Sequence, residues 1–223
     1  MQRIALVAVV LAIATPALAH FKLISPAASF GQDGFGSPQK TAPCGQSDPG
    51  DTAVPTNQVT QLMTGQMVSI EVDETIFHPG HYRVSLAEST TMLPADPMVT
   101  PGATACGSTA INPSPQMPLL ADGLLVHTSS FSTNQMMQVQ LPAGVKCTNC
   151  VLQITEFMSS HAAPCYYHHC AIVTISDDPN NPPGGDTAAP MDDAGGCCST
   201  SRGSGASALF VFGVGALLLR RRR

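Results

Sequence analysis

Residues 66–86, QMVSIEVDETIFHPGHYRVSL, decide the fold, because two alternating apolar stretches flank a Pro-Gly turn. Every second residue is apolar in 66–72 (QMVSIEV), and the same alternation recurs in 81–86 (HYRVSL). A period of two is typical of a half-buried β-strand, and the turn between the stretches favours antiparallel pairing. The segment therefore predicts two neighbouring strands of a sheet with one face in the core.

After this segment, four more short stretches have the composition of strands, and clusters of Pro, Gly, Asn and Ser separate them. They are 123–127 (GLLVH), 136–141 (MMQVQL), 151–157 (VLQITEF) and 170–175 (CAIVTI). Because no long helical pattern interrupts them, the sequence predicts an all-β fold, an antiparallel sandwich of immunoglobulin or fibronectin-III type. The Pro- and Gly-rich stretches 30–60 and 90–122 are expected to be long loops, functional or pinned by disulfides.

The 223-residue chain divides into four parts. Residues 1–19 have a basic start, an apolar run and an Ala-Leu-Ala end, which predicts a secretory signal peptide. Residues 20–178 form the expected β-sandwich domain, and the Pro-, Gly- and Asp-rich stretch 179–196 is expected to be a flexible linker. Residues 197–223 are a tail with an apolar run and a final arginine cluster.

Charge and cysteine usage in 20–178 narrow the class of protein. Four fixed cations stand against twelve acids, a net charge of about −8, which argues against nucleic-acid binding. An even number of cysteines after a signal peptide predicts disulfides formed in an oxidising compartment. A zinc knuckle at the Cys147-x-x-Cys150 pair is the less favoured alternative, because no second CxxC is present. The six cysteines are Cys44, Cys106, Cys147, Cys150, Cys165 and Cys170.

His20 is the most informative single residue, since cleavage after Ala19 makes it the first residue of the exported protein. An N-terminal histidine offers copper two nitrogens, the α-amine and ring Nδ1. One more histidine completes a planar set of three nitrogens, which suits Cu(II). The alternative is a histidine that follows the cleavage site by coincidence.

Two other regions are rich in candidate ligands. His78 and His81 flank the Pro79-Gly80 turn and are either copper ligands or solvated turn histidines. The stretch 161–169 contains three histidines and two tyrosines. One of these tyrosines could take a weak axial copper position and one of the histidines could orient bound oxygen, or the stretch could be an aromatic edge packed on a disulfide.

Three motifs together resemble the histidine-brace copper proteins related to lytic polysaccharide monooxygenases, and the related copper-acquisition proteins. The first is His20-Phe21-x-Leu23-x-x-Pro26 followed by Pro43-Cys44-Gly45. The second is Glu74-Thr75-Ile76-Phe77-His78-Pro79-Gly80-His81-Tyr82-Arg83. The third is Glu156-x4-His161-x-Ala163 with Tyr167-x-x-Cys170. The resemblance spans most of residues 20–178.

The resemblance implies a set of roles. His20 and His78, rather than His81, would hold one copper ion, with Tyr167 at its axial position and a disulfide between Cys44 and Cys170. His161, with Glu156 or Gln153, would steer O2 or H2O2 during oxidative cleavage of an insoluble polysaccharide such as chitin or cellulose. The chain departs from the oxygenases in having Cys165, where they commonly have Gln, two residues before the axial tyrosine.

Two alternatives to an oxygenase stay open. In the copper-acquisition branch an aspartate commonly replaces the phenol as third ligand, for which Asp33, Asp48 and Asp51 are loop candidates, and the protein would bind copper without oxidising a substrate. The absence of Trp and the presence of only three Tyr make a flat aromatic polysaccharide-binding face hard to build. The other alternative is a structural immunoglobulin-like surface module whose histidines share no role.

The tail places Cys197 and Cys198 before an apolar run, Ala206 to Leu219, and four arginines. The run is short for a membrane-spanning helix, which needs about 20 residues. The arrangement resembles the C-terminal sorting signal of myxobacterial surface proteins. That resemblance implies processing or lipid attachment near the two cysteines, membrane contact through the tail, and a domain held at the cell surface. The domain is expected to be a monomer. A short membrane anchor is the alternative.

Overall fold

The computed structural model describes residues 20–178, which fall within one compact unit. The expected signal peptide (1–19), linker (179–196) and tail, including Cys197 and Cys198, lie outside the described residues. Ten strands and one short 3-10 helix, Thr90–Met92, make up the regular structure. The strands are β1 His20–Ser25, β2 Val59–Met63, β3 Met67–Ile76, β4 Gly80–Ala87, β5 Val99–Thr100, β6 Ser108–Thr109, β7 Leu119–His127, β8 Gln135–Gln140, β9 Cys147–Met158 and β10 Tyr166–Ser176.

The strands form two facing sheets and a small hairpin. One sheet has the order β1-β3-β8, the other has the order β2-β10-β9-β4-β7, and β5 pairs with β6. Neighbouring strands are antiparallel except β2 and β10, which run parallel. The predicted all-β sandwich is therefore confirmed, with one parallel edge pair that alternation of apolar residues does not reveal.

The apolar core lies between the two sheets and follows the alternation seen in the sequence. Val68, Ile70 and Val72 of β3 face Val84 and Leu86 of β4 within one buried cluster. Leu152 and Ile154 of β9 and Ala171 and Val173 of β10 complete the facing layer. Burying each such side chain contributes roughly 1.5–3 kcal/mol, so the paired inward rows are the main source of stability.

All six cysteines of the described segment are paired, as predicted. Cys44 bonds to Cys170, as the resemblance implies, and Cys106 bonds to Cys165. Cys147 bonds to Cys150, so these two sulfurs form a disulfide and not half of a zinc knuckle. The first two bonds tie the long loops before β2 and after β4 to β10 and its preceding loop.

Within residues 20–178, no helix is both long enough and apolar enough to cross a membrane.

Candidate metal centre

The start of β1 and the end of β3 bring His20 close to the turn that carries His78. His20 is paired with Ile76 across the β1–β3 ladder, and His78 follows two residues later in the chain. The Thr75 hydroxyl lies within hydrogen-bond distance of two carbonyl oxygens, that of His20 (3.0 Å) and that of Phe35 (2.7 Å), and can donate to either. The ladder thus fixes the backbone of His20 beside the turn.

A loop secures the next peptide of β1. Gln39, which is fully buried, accepts a hydrogen bond from the Phe21 N–H at its side-chain oxygen (3.1 Å). The Asp48 carboxylate in turn accepts the backbone N–H of Gln39 (2.7 Å), and the Gln39 carbonyl accepts the N–H of His168 (2.7 Å). Gln39 therefore connects the beginning of β1 to β10 and to the loop before β2.

The Pro79-Gly80 turn is held against the end of β9. Both the N–H and the hydroxyl of Ser159 donate to the Pro79 carbonyl, at 2.7 and 2.9 Å. A Cβ on Gly80 would lie 1.9 Å from the carbonyl oxygen of Phe157, so only glycine allows this approach. The turn carries the His78 ring to 4.6 Å, centroid to centroid, from the ring of His161 in an edge-on arrangement.

The loop between β9 and β10 presents His161 from a braced backbone. Cys106 and His161 form an isolated antiparallel bridge, and the Cys106–Cys165 disulfide closes the same loop. His161 Nδ1 lies 3.1 Å from the Pro164 carbonyl oxygen, which can only accept, so Nδ1 carries the proton and neutral His161 has its lone pair on Nε2. That Nε2 is buried without a hydrogen-bond partner among the described residues, which fits a nitrogen placed to meet a bound ligand.

Tyr167, on the inward face of β10, lies beside the rings of His20 and His161. Its ring centroid is 5.4 Å from that of His20 and 6.1 Å from that of His161. Burial, with the negative charges of Glu156 and Asp48, raises the pKa of Tyr167 to about 12, so the phenol stays protonated at neutral pH. Side chains from four separate places in the sequence, His20, His78, His161 and Tyr167, thus meet at one end of the sandwich.

His81 lies in a different environment. Residues of β4 alternate between faces, and His81 shares the outward row with Phe157, whose ring is 5.3 Å away. Its Nε2 is 3.7 Å from a carboxylate oxygen of Asp122. Burial lowers the pKa of His81, although Asp122 acts in the opposite direction. The structure brings His78, and not His81, together with His161.

Gln153 and Glu156 also separate. Gln153 lies on the outward face of β9, where its side-chain amide donates to the Pro43 carbonyl (2.8 Å) beside the Cys44–Cys170 disulfide. Glu156 lies on the inward face, paired laterally with Tyr82 on β4 and Tyr167 on β10. Gln153 therefore lies on the opposite face of the sheet from Tyr167, whereas Glu156 is the neighbour of Tyr167 across the β9–β10 ladder.

The loop aspartates have structural partners. Asp48 accepts the backbone N–H groups of residues 39–41 and the Thr41 hydroxyl. One oxygen of Asp33 accepts three backbone N–H groups from residues 35–37. Burial raises the pKa of Asp33, but these donors and the charge of nearby His20 outweigh it, so the net change is downward.

The remaining side chains of 161–169 serve packing and hydrogen bonding. His169 donates from Nε2 to the Phe21 carbonyl (3.0 Å) on the inward face, and burial lowers its pKa to about 4. On the outward face His168 Nε2 lies 2.9 Å from Asp96 Oδ1, and the Tyr166 hydroxyl donates to Thr109 (2.9 Å).

A second polar cluster lies between the sheets, and the sequence motifs do not identify it. Ligand atoms of Glu74, His127 and Glu156 lie within 4.8 Å of one another. Burial first, and then the charge of Glu74, raises the pKa of Glu156 well above its usual range. A signal was present in the sequence, since Glu74 and Glu156 occupy inward positions in the alternation of their strands.

No protein-family profile, curated protein or solved structure matches this chain.

Proposed function

We propose that this chain is an exported, surface-attached mononuclear copper protein with an N-terminal histidine brace. The copper would be held by the α-amine and ring of His20 and by the ring of His78. The single observation that carries this proposal is the convergence of His20, His78, His161 and Tyr167 at one end of the sandwich. Imidazole and amine nitrogens suit copper. The buried Nε2 of His161, which has no hydrogen-bond partner within residues 20–178, supports a site built to meet a bound ligand.

Copper held in this way would supply one-electron chemistry with O2 or H2O2, as the resemblance to polysaccharide monooxygenases implies. The chain's own residues would set the surroundings. His161 Nε2 would accept a proton or a hydrogen bond on the side of the site that faces His78. Tyr167, kept as a neutral phenol, excludes water from the side of the site next to His20.

The proposed substrate is an insoluble polysaccharide, and Phe35 supports it. The Phe35 side chain is 58% exposed, and its ring centroid is 6.1 Å from that of His20. An exposed aromatic ring beside the ligands can stack on a sugar face. We propose oxidative cleavage of chitin or cellulose as the reaction.

A copper-binding or copper-acquisition role without oxygenase activity is the second candidate, and one observation favours it. All three tyrosines of the chain, Tyr82, Tyr166 and Tyr167, are buried, and the chain contains no tryptophan. A broad aromatic face for a crystalline polysaccharide is therefore lacking on the described domain. In this role His20 and His78 would bind Cu(II) alone.

The first experiment is a Cu(II) titration, followed by EPR, of exported protein whose first residue is verified as His20. The control is the same protein with one extra residue before His20, which removes the histidine amine as a ligand. Tight one-to-one binding with an axial, nitrogen-rich spectrum, lost in the control, is expected. Weak binding that ignores the extra residue would leave a disulfide-bonded surface module and overturn both copper functions.

A second experiment separates the two copper functions. Copper-loaded protein is incubated with chitin or cellulose, a reductant and O2 or H2O2, and soluble products are analysed by mass spectrometry. Oxidised oligosaccharides that disappear in His78→Ala identify an oxygenase. Tight copper binding without such products identifies a copper-binding protein.

A further inference from the structure

The cluster of Glu74, His127 and Glu156 is buried between the two sheets. The side chains of Glu74 and His127 are 1% and 5% exposed, and Glu156 is fully buried. Glu74 comes from β3, His127 from the end of β7, and Glu156 from the inward row near the end of β9. Three strands, one from the first sheet and two from the second, therefore bring these groups together in the interior, where water does not reach them.

The cluster has more negative charge than its own positive charge can balance. Two carboxylates face a single imidazole, and burying an uncompensated charge in a protein interior is costly. Burial raises the pKa of Glu156, and the Tyr82 hydroxyl, which faces Glu156 as a donor, acts to lower that pKa. However, no group among residues 20–178 meets either Glu156 oxygen in close hydrogen-bond geometry. A proton or a cation must balance the second carboxylate.

Both ring nitrogens of His127 meet oxygen atoms that can only accept, one on the backbone and one on Glu74. Its Nδ1 lies 2.8 Å from the Leu125 carbonyl oxygen, which can only accept, so Nδ1 carries a proton. Its Nε2 points at Glu74 Oε1, 2.8 Å away. Burial acts to lower the pKa of His127, but its hydrogen bonds to Glu74 and Leu125 raise it, so Nε2 carries a proton that a bound cation would displace. The N–H that His127 donates to a backbone carbonyl is the outer-shell arrangement of metal-binding histidines.

We propose that Glu74, His127 and Glu156 bind a divalent cation of the zinc class, at a site separate from His20 and His78. Two carboxylates and one imidazole are a hard-to-borderline ligand set that suits Zn(II). A divalent ion neutralises both carboxylates and gives the Glu156 oxygens a partner. Tyr167 pairs with Glu156 across β10 and β9, and its ring centroid is 5.4 Å from that of His20.

The test measures Zn(II) bound to the exported chain after one equivalent of Cu(II) has been added. Equilibrium dialysis against Zn(II), continued until the metal content is constant, is followed by elemental analysis. One zinc per chain is expected in the wild type. The isosteric Glu156→Gln should lower zinc affinity at least about tenfold and leave copper binding intact. Glu71→Gln is the matched control, because Glu71 lies on the same strand and pairs with Asn134 on the exposed side.

The same measurement on His20→Ala/His78→Ala keeps this proposal distinct from the copper function. That variant should lose copper and still bind one zinc. Zinc content that falls in His20→Ala/His78→Ala but not in Glu156→Gln overturns the proposal. So does a wild type that binds no zinc beyond its Glu156→Gln variant, since the cluster is then a proton-sharing carboxyl pair. As a check on folding, Zn(II) should raise the melting temperature of the wild type and not that of Glu156→Gln.

Discussion

At the residue scale, three positions separate His78 from His81, and the two rings have different neighbours. His78 precedes β4 and contacts His161, whereas His81 lies inside β4 and points outward to Asp122. The alternation that places Tyr82 in the core also places His81 on the opposite face. A residue outside a strand is not constrained by the pleat, so the sequence alone leaves the direction of His78 open.

The copper site can be tested at this scale with the pair His78→Ala and His81→Ala. Removal of the His78 ring should weaken Cu(II) binding by more than about tenfold. Loss of a residue that only supports a ligand already costs about tenfold, and a direct ligand should cost more. His81→Ala should leave the affinity unchanged, because its ring lies on the other face of the sheet. Isothermal titration calorimetry of both variants measures this, and an equal loss in both would contradict the assignment.

His169 predicts the pH dependence of stability. Burial lowers its pKa to about 4 from the ordinary 6.5, so the unfolded chain binds a proton more readily than the folded one. Its contribution is full above about pH 6.5 and is lost as the pH falls toward 4, a change of about 3 kcal/mol. Urea unfolding at about pH 7.5 and about pH 4.5 should show a smaller difference for His169→Gln than for the wild type. An unchanged difference would show that His169 is not the responsible group.

How far the candidate sites follow from the sequence also depends on single residues. Glu74 continues the inward series of Val68, Ile70 and Val72, so an acid at a core position was visible. Its partners His127 and Glu156 lie 53 and 82 residues away, as their numbers show, and no local pattern links them. Only the folded register of β3, β7 and β9 brings them together.

At the element scale, the turn before β4 and the loop before β10 govern the positions of His78 and His161.

The six strands expected from the sequence are all present, and most extend beyond the apolar run. β1, β2, β5 and β6 were not expected. β1 and β2 each lie at the edge of a sheet, and β5 and β6 are only two residues long. Edge strands lack the two-sided burial that produces a strong apolar pattern.

The Pro79-Gly80 turn gives a sharp stability prediction. Gly80→Ala should destabilise the fold by about 3 kcal/mol or more, because the new Cβ would lie 1.9 Å from the Phe157 carbonyl oxygen. Gly34→Ala is the matched control, since nothing lies within 4 Å of its Cβ position. Urea denaturation compares the two, and similar stabilities would mean that β9 does not approach the turn this closely.

The loop of His161 can be tested through its disulfide. The Cys106–Cys165 bond spans 59 residues, and the Cys147–Cys150 bond spans only 3. Loop-closure entropy predicts a loss of roughly 4 kcal/mol for Cys106→Ser/Cys165→Ser and roughly 2 kcal/mol for Cys147→Ser/Cys150→Ser. Thermal unfolding measures both. The opposite order would show that native-state packing, and not chain entropy, dominates at these bonds.

At the scale of the whole molecule, the candidate copper ligands gather where the ends of β1, β3, β4, β9 and β10 meet. Cys165 explains the departure from the oxygenase pattern, since it closes the His161 loop through Cys106. The all-β class follows from the local alternation of apolar and polar residues, because this pattern within a strand shows which face is buried. The position of the site depends on which strand ends are neighbours, and that is a property of the topology alone.

Copper binding should therefore stabilise the entire domain. A ligand at 100 times its dissociation constant adds about 2.7 kcal/mol to the free energy of unfolding. Cu(II) added so that its free concentration is about 100 times the dissociation constant should raise the melting temperature of protein that begins at His20. Protein with one residue before His20 should show no comparable rise, and an equal rise in both would contradict a role for the amine.

The Gln39 loop has a consequence for motion at the start of the domain. The first residues of a domain ordinarily fray, but the Phe21 N–H is held by a fully buried side chain that is itself fixed by Asp48 and joined to β10. The Phe21 amide should therefore exchange with deuterium as slowly as amides in the centre of β9. If copper binds as proposed, a rigid first peptide would leave its nitrogen ligands little freedom to reorganise, so the protein would set the ligand geometry before the ion binds.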